Sequence, residues 1–148
     1  AEYNIPTLYS DATPLPNWIL KICKRAADLE VIPGVEFIDM AVINLYAVPG
    51  QGLAVHIDPS SLFLRPILSA RFFSESVLSF NVKGQYTGHR THNIVIPRGS
   101  LTVMEGYAAN NVTHAVRHCD VKEKSCSVIM RGCLKAAMAS AGMQSHAA

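Results

Sequence analysis

IDMAVINLYAV (residues 38–48), PGQG (49–52) and LAVHI (53–57) follow one another directly, and their reading decides the fold. Two runs rich in β-branched and aromatic residues flank a Pro/Gly turn, which predicts strand, turn, strand. The same rhythm continues downstream. It predicts further strands near 67–73, 76–82, 93–96, 101–105, 112–118 and 125–131, with turns at 84–92 and at Pro97-Arg98-Gly99. Upstream the period changes. After Pro14 and Pro16, the residues Trp18, Ile19, Ile22, Cys23, Ala26 and Leu29 recur at three- and four-residue spacing. That predicts one amphipathic helix, ended by Pro33-Gly34. Eight strands after one helix favour a mainly antiparallel sandwich or barrel over a doubly wound α/β fold.

Composition sets the outer bounds. The 148 residues are 49% hydrophobic and 16% charged, enough apolar material for one domain core and too much for a disordered chain. No stretch approaches the roughly 18 uninterrupted apolar residues of a membrane span. A net charge of +2 names no partner. Cys23, Cys119, Cys126 and Cys133 form no CxxC pair and read as free thiols. Ala1 in place of Met points to a processed or incomplete chain, and residues 135–148 read as a helical or disordered tail beyond a domain of 1–134.

The chemistry concentrates at His56-Ile57-Asp58, where a predicted strand runs into Pro59. Side chains two apart on a strand share a face, so imidazole and carboxylate can take adjacent positions on an octahedral metal. The pair is weak evidence alone. A third imidazole would complete a facial triad, and His114, within the alternating run Val112 to Val116, is better placed than His89 and His92 in a polar loop, His118 at a strand exit or His146 in the tail. Taken alone, His114 also reads as a hydrogen-bonded structural histidine. Arg131, closing an apolar run, is either a cation for the far end of a dicarboxylate co-substrate or a snorkelling edge residue. Asn44 and Tyr46, two apart, offer an amide and a phenol to the same ligand, or ordinary hydrogen bonds in a sheet.

Taken together, Ala41 to Tyr46, His56 to Pro59, Arg65-Pro66-Ile67, Phe72-Phe73-Ser74, Arg98-Gly99-Ser100, Gly106 to Ala109, Thr113-His114 and Arg131 resemble the AlkB-type Fe(II)/2-oxoglutarate dioxygenases. Within them the chain is most similar to the eukaryotic branch that removes N6-methyl groups from adenine in RNA. The resemblance runs from about Leu8 to Leu134. It implies a double-stranded β-helix, a jelly-roll core with one N-terminal helix, that holds Fe(II) through His56, Asp58 and His114. It also implies 2-oxoglutarate as co-substrate, with Asn44, Tyr46 and Arg131 at matching positions, and O2 as oxidant. Succinate, CO2 and formaldehyde are the implied products. The implied partner is single-stranded RNA, with DNA as a second candidate, met by a monomer in the nucleus or cytoplasm. Arg65, Arg71, His89, Arg90 and His92 are candidate nucleic-acid contacts.

Two departures stand out. The family grips 2-oxoglutarate with two arginines six apart, and here the first of those positions is Ser125. One charge-assisted contact is worth about ten- to a hundredfold in affinity. An arginine at 125 is therefore expected to tighten 2-oxoglutarate binding, and a catalytically impaired RNA-binding relative is the rival reading. The family's nucleotide-gripping lid lies upstream of the matched region, so a dioxygenase acting on DNA or protein is the third.

Overall fold

The computed structural model describes residues 13–82 and 91–134. The helix α1 (Asn17–Asp28) starts after Pro16, whose fixed φ suits a helix N-terminus. It buries Ile19, Cys23 and Ala26 on one face. Its end differs from the expected stop at Pro33-Gly34. Glu30 adopts φ 58°, the Glu30 N–H bonds to the Ala27 carbonyl, and the Val31 N–H bonds to the Ala26 carbonyl. This is a Schellman closure, and it ends the helix before the proline is reached. Glu30 carries the left-handed backbone that glycine adopts without cost. Glu30→Gly is expected to raise unfolding stability by about 1 kcal/mol, read from the denaturation midpoint.

Among the described residues eight strands follow: β1 (Met40–Tyr46), β2 (Leu53–His56), β3 (Ile67–Phe72), β4 (Ser76–Val82), β5 (His92–Ile96), β6 (Leu101–Met104), β7 (Val112–Val116) and β8 (Ser125–Arg131). They form two four-stranded sheets of order β1-β8-β3-β6 and β2-β7-β4-β5, with every pairing antiparallel. The chain passes from one sheet to the other at every step but one, the β4–β5 hairpin, which stays within the second sheet; this is the arrangement of a double-stranded β-helix. A six-residue helix, α2 (Gly106–Asn111), lies between β6 and β7. It is too short to show a helical period in sequence.

Side-chain alternation divides the first sheet into two functions. Leu68 and Ala70 of β3 join Cys126, Val128 and Met130 of β8 beneath α1 and form the main core. Alternate residues on the same strands, Ile67, Ser69 and Arg71 with Ser127, Ile129 and Arg131, line a cavity of about 810 Å³ between the sheets. Because β8 is covered on both faces, its residues are buried almost without exception. The four cysteines are free, as expected, and all but Cys119 are buried. Among the described residues no helix is long and apolar enough to cross a membrane.

Candidate metal centre

His56 ends β2 and is the direct cross-strand partner of His114 on β7, with ring centroids 4.3 Å apart. Asp58 stands beyond the end of β2, which stops one residue short of the predicted strand, and the register shifts between Leu53 and His56. The shared face expected for His56 and Asp58 is thus reached through a chain that has left the sheet. His56, Asp58 and His114 each bring one donor atom to within 4.8 Å of the others. They are the one such group among the described residues.

Each donor is prepared by its surroundings. The Ala54 carbonyl can only accept, so His56 Nδ1, 2.8 Å away, carries the proton and leaves Nε2 as the open donor. His114 is set by packing, between the His56 ring and the Phe80 ring at 6.1 Å. Burial, then the nearby His56, push the His114 pKa down to about 4, partly opposed by Asp58. Its imidazole is therefore neutral near pH 7, the state in which it binds a metal. Asp58 is 4% exposed. Its Oδ1 accepts from Arg131 Nη2 at 2.6 Å, while Oδ2 is buried without a hydrogen bond, 3.6 Å from His114 Nε2. An unsatisfied carboxylate oxygen facing two imidazoles fits a divalent cation with oxygen and nitrogen ligands, and matches the two-histidine, one-carboxylate set that leaves three positions free on Fe(II).

The remaining predicted residues divide sharply. Asn44 and Tyr46 face the cavity from β1, while Ile43 and Leu45, which alternate with them, are exposed. Burial pushes the Tyr46 phenol up, and this is partly offset by the Ser127 hydroxyl and the Arg71 guanidinium. Arg131 does not stand at the far end of the cavity as a free cation. It is committed to Asp58 and lies over the Phe63 ring, 4.7 Å from its centroid, because a buried guanidinium needs the nearest carboxylate.

Arg65 and Arg71, two of the candidate nucleic-acid contacts, make their hydrogen bonds within the protein. Arg65 donates to the carbonyls of Asp58, Phe63, Leu64 and Ala109 and to Asn110 Oδ1, so its fork is saturated inside the protein. Arg71 is 3% exposed and lines the cavity. His92 begins the outer strand β5 and is exposed. His89 and Arg90, with His146, lie outside the described residues. Sequence reasoning missed Arg71 as a cavity residue. The available signal was its parity: Ile67, Ser69 and Arg71 alternate on one strand, opposite the apolar face.

A model of the 2OG-Fe(II) oxygenase superfamily matches residues 2–138. The chain is 40% identical over 122 residues to the RNA demethylase ALKBH5 of Xenopus laevis, a match covering 79% of this chain and 33% of the relative. It is 39% identical over 126 residues to RNA demethylase ALKBH5 of Mus musculus, covering 82% and 31% respectively. The chain thus spans about a third of the length of these curated relatives. The solved "The structure of OsALKBH1" superposes with a TM-score of 0.59 over 79% of this chain and 65% of that one, at 15% identity, a likeness of fold.

Proposed function

The chain belongs to the 2OG-Fe(II) oxygenase superfamily, and from that premise we propose that it is an oxidative demethylase of N6-methylated adenine in RNA. The observation that carries this reading is the convergence of His56, Asp58 and His114 with Asp58 Oδ2 left open, in a chain about 40% identical to proteins named RNA demethylases. The three side chains would hold Fe(II) at the wall of the cavity. Bound there, the iron would supply the oxidation in which O2 is spent on 2-oxoglutarate and on the N-methyl carbon, giving succinate, CO2 and formaldehyde.

The chain's own residues do the positioning. Arg131 fixes one Asp58 oxygen and leaves the other for the metal. Asn44 and Tyr46, on the cavity face of β1, orient the co-substrate. The apolar lining supplied by Ile67, Leu78, Met104 and Ile129 excludes water from the oxidation. A methyl group stacked within a duplex cannot enter such a cavity, so the substrate is a single-stranded or flipped-out base. Single-stranded RNA as partner, with DNA as the lesser candidate, a monomeric state and a nuclear or cytoplasmic location belong to the same proposal.

Fe(II) and 2-oxoglutarate added without oxygen are expected to give the metal-to-ligand absorption band of a chelated 2-oxo acid. Admitting air with an N6-methyladenosine RNA oligomer is expected to give succinate and formaldehyde in equal amounts. Succinate without loss of the RNA methyl group, by mass spectrometry, would move the target to DNA or protein. Absence of both band and succinate would overturn the oxygenase reading.

A further inference from the structure

The inward face of the first sheet carries a second buried charge besides Arg131. Antiparallel register places Asn44, Ser127 and Arg71 side by side across β1, β8 and β3, with Tyr46 opposite Ser125 in the next row. Arg71 reaches diagonally across this lattice. Its Nη2 donates to Ser125 Oγ at 3.0 Å, and its guanidinium carbon lies 5.7 Å from the centre of the Tyr46 ring. Arg71 Nε is buried with no hydrogen-bond partner, and among the described residues no carboxylate lies within ion-pair distance of this side chain.

A guanidinium only 3% exposed, facing a cavity and lacking an anion, is costly unless an anion arrives. Its surroundings suit a carboxylate: a planar fork, the Tyr46 phenol, and the Ser125 and Ser127 hydroxyls. The Arg71 row is four residues along β8 from Arg131 and the metal ligands, about 13 Å by strand rise, which an arginine side chain and a five-carbon diacid span between them.

Resting on the oxygenase reading above, we infer that Arg71 binds the distal carboxylate of 2-oxoglutarate. It does so from β3, at the place where Ser125 on β8 lacks the arginine expected of the family. The charge has moved to the neighbouring strand, and its side chain returns it to the same spot, held by the serine hydroxyl. This removes the reason for expecting Ser125 to weaken the site. It also reverses the effect expected of Ser125→Arg alone, which would crowd two guanidiniums into one buried volume instead of filling a gap.

The test compares two acids that chelate a metal identically through the 1-carboxylate and 2-oxo group: 2-oxoglutarate, and 2-oxopentanoate, which ends in a methyl group. Both are titrated without oxygen into the Mn(II)-loaded full chain by calorimetry. The wild type is expected to prefer 2-oxoglutarate by about 10- to 100-fold. Arg71→Met is expected to abolish that preference while leaving 2-oxopentanoate affinity unchanged. A merely structural arginine would weaken both acids alike or neither, so a preference that survives in Arg71→Met overturns the assignment. Should Arg71→Met fail to fold, the exchange Arg71→Ser with Ser125→Arg keeps one charge in the same volume. Recovery of the preference in that protein supports the assignment, and a folded exchange variant without it overturns the assignment. Binding of neither acid to the wild type, with Mn(II) bound, overturns the oxygenase reading itself and this inference with it.

Discussion

Asp58→Asn is expected to weaken Fe(II) or Mn(II) binding by at least ~100-fold, more than the loss of any other single side chain at the centre. Asparagine keeps the volume and an acceptor oxygen but removes the sole negative charge from the donor set. Two imidazoles and an amide are a poor site for a hard divalent ion. The substitution has a second consequence. Arg131, paired with Asp58 at 2.6 Å and almost as deeply buried, loses its counter-charge, which costs about 3–5 kcal/mol of stability. The two effects separate in the double variant Asp58→Asn with Arg131→Met, where the stranded charge is gone. Denaturation should then recover most of the lost stability, while metal titration stays flat. Metal affinity returning with stability would show that Asp58 acts as a structural partner of Arg131 and is not a ligand.

Arg65→Met is expected to cost on the order of 3–5 kcal/mol and to weaken metal binding about 10- to 100-fold, without the residue touching the metal. Its guanidinium gathers the Asp58 carbonyl at 2.6 Å, the Phe63 carbonyl at 3.0 Å and the Ala109 carbonyl at 3.1 Å. It also holds the Asn110 side chain, and so ties the loop after β2 to the end of α2. Removing it leaves part-buried acceptors unsatisfied and frees the backbone that aims Asp58. Arg65→Lys is expected to rescue little, because one ammonium cannot reproduce the five-donor fork. Denaturant unfolding and Mn(II) titration check both parts. Unchanged stability together with weakened RNA binding would return Arg65 to the role of a phosphate contact.

Much of the frame is legible in the chain. The turn at Pro49 to Gly52 and the β-branched runs mark the strands, and each predicted strand is present within a residue or two of its bounds. The ends shift where local signals compete with tertiary ones: α1 stops at a Schellman turn around Glu30 before Pro33 can act. The metal triad is legible in part. His56 and Asp58 are close in sequence, and the alternating run around His114 favours it over the other histidines, whereas reading it as a ligand and not a structural histidine needed the family resemblance. The pairing His56↔His114 is a cross-strand contact that no local pattern specifies.

Arginine roles were the least legible, for a physical reason. An arginine's position in sequence fixes the strand and face from which it starts, but its long side chain ends several ångströms away, on whichever acceptor or anion the fold supplies. Arg131 ends on Asp58, Arg65 on a ring of carbonyls, and Arg71 on Ser125. Sequence by itself determined the eight strands, the helix before them and the residue types able to hold iron, because those follow from periodicity and donor chemistry. Only the tertiary structure decided which buried cation pairs with the candidate metal-ligand carboxylate and which has no carboxylate beside it, because strand register sets that distance across neighbouring strands.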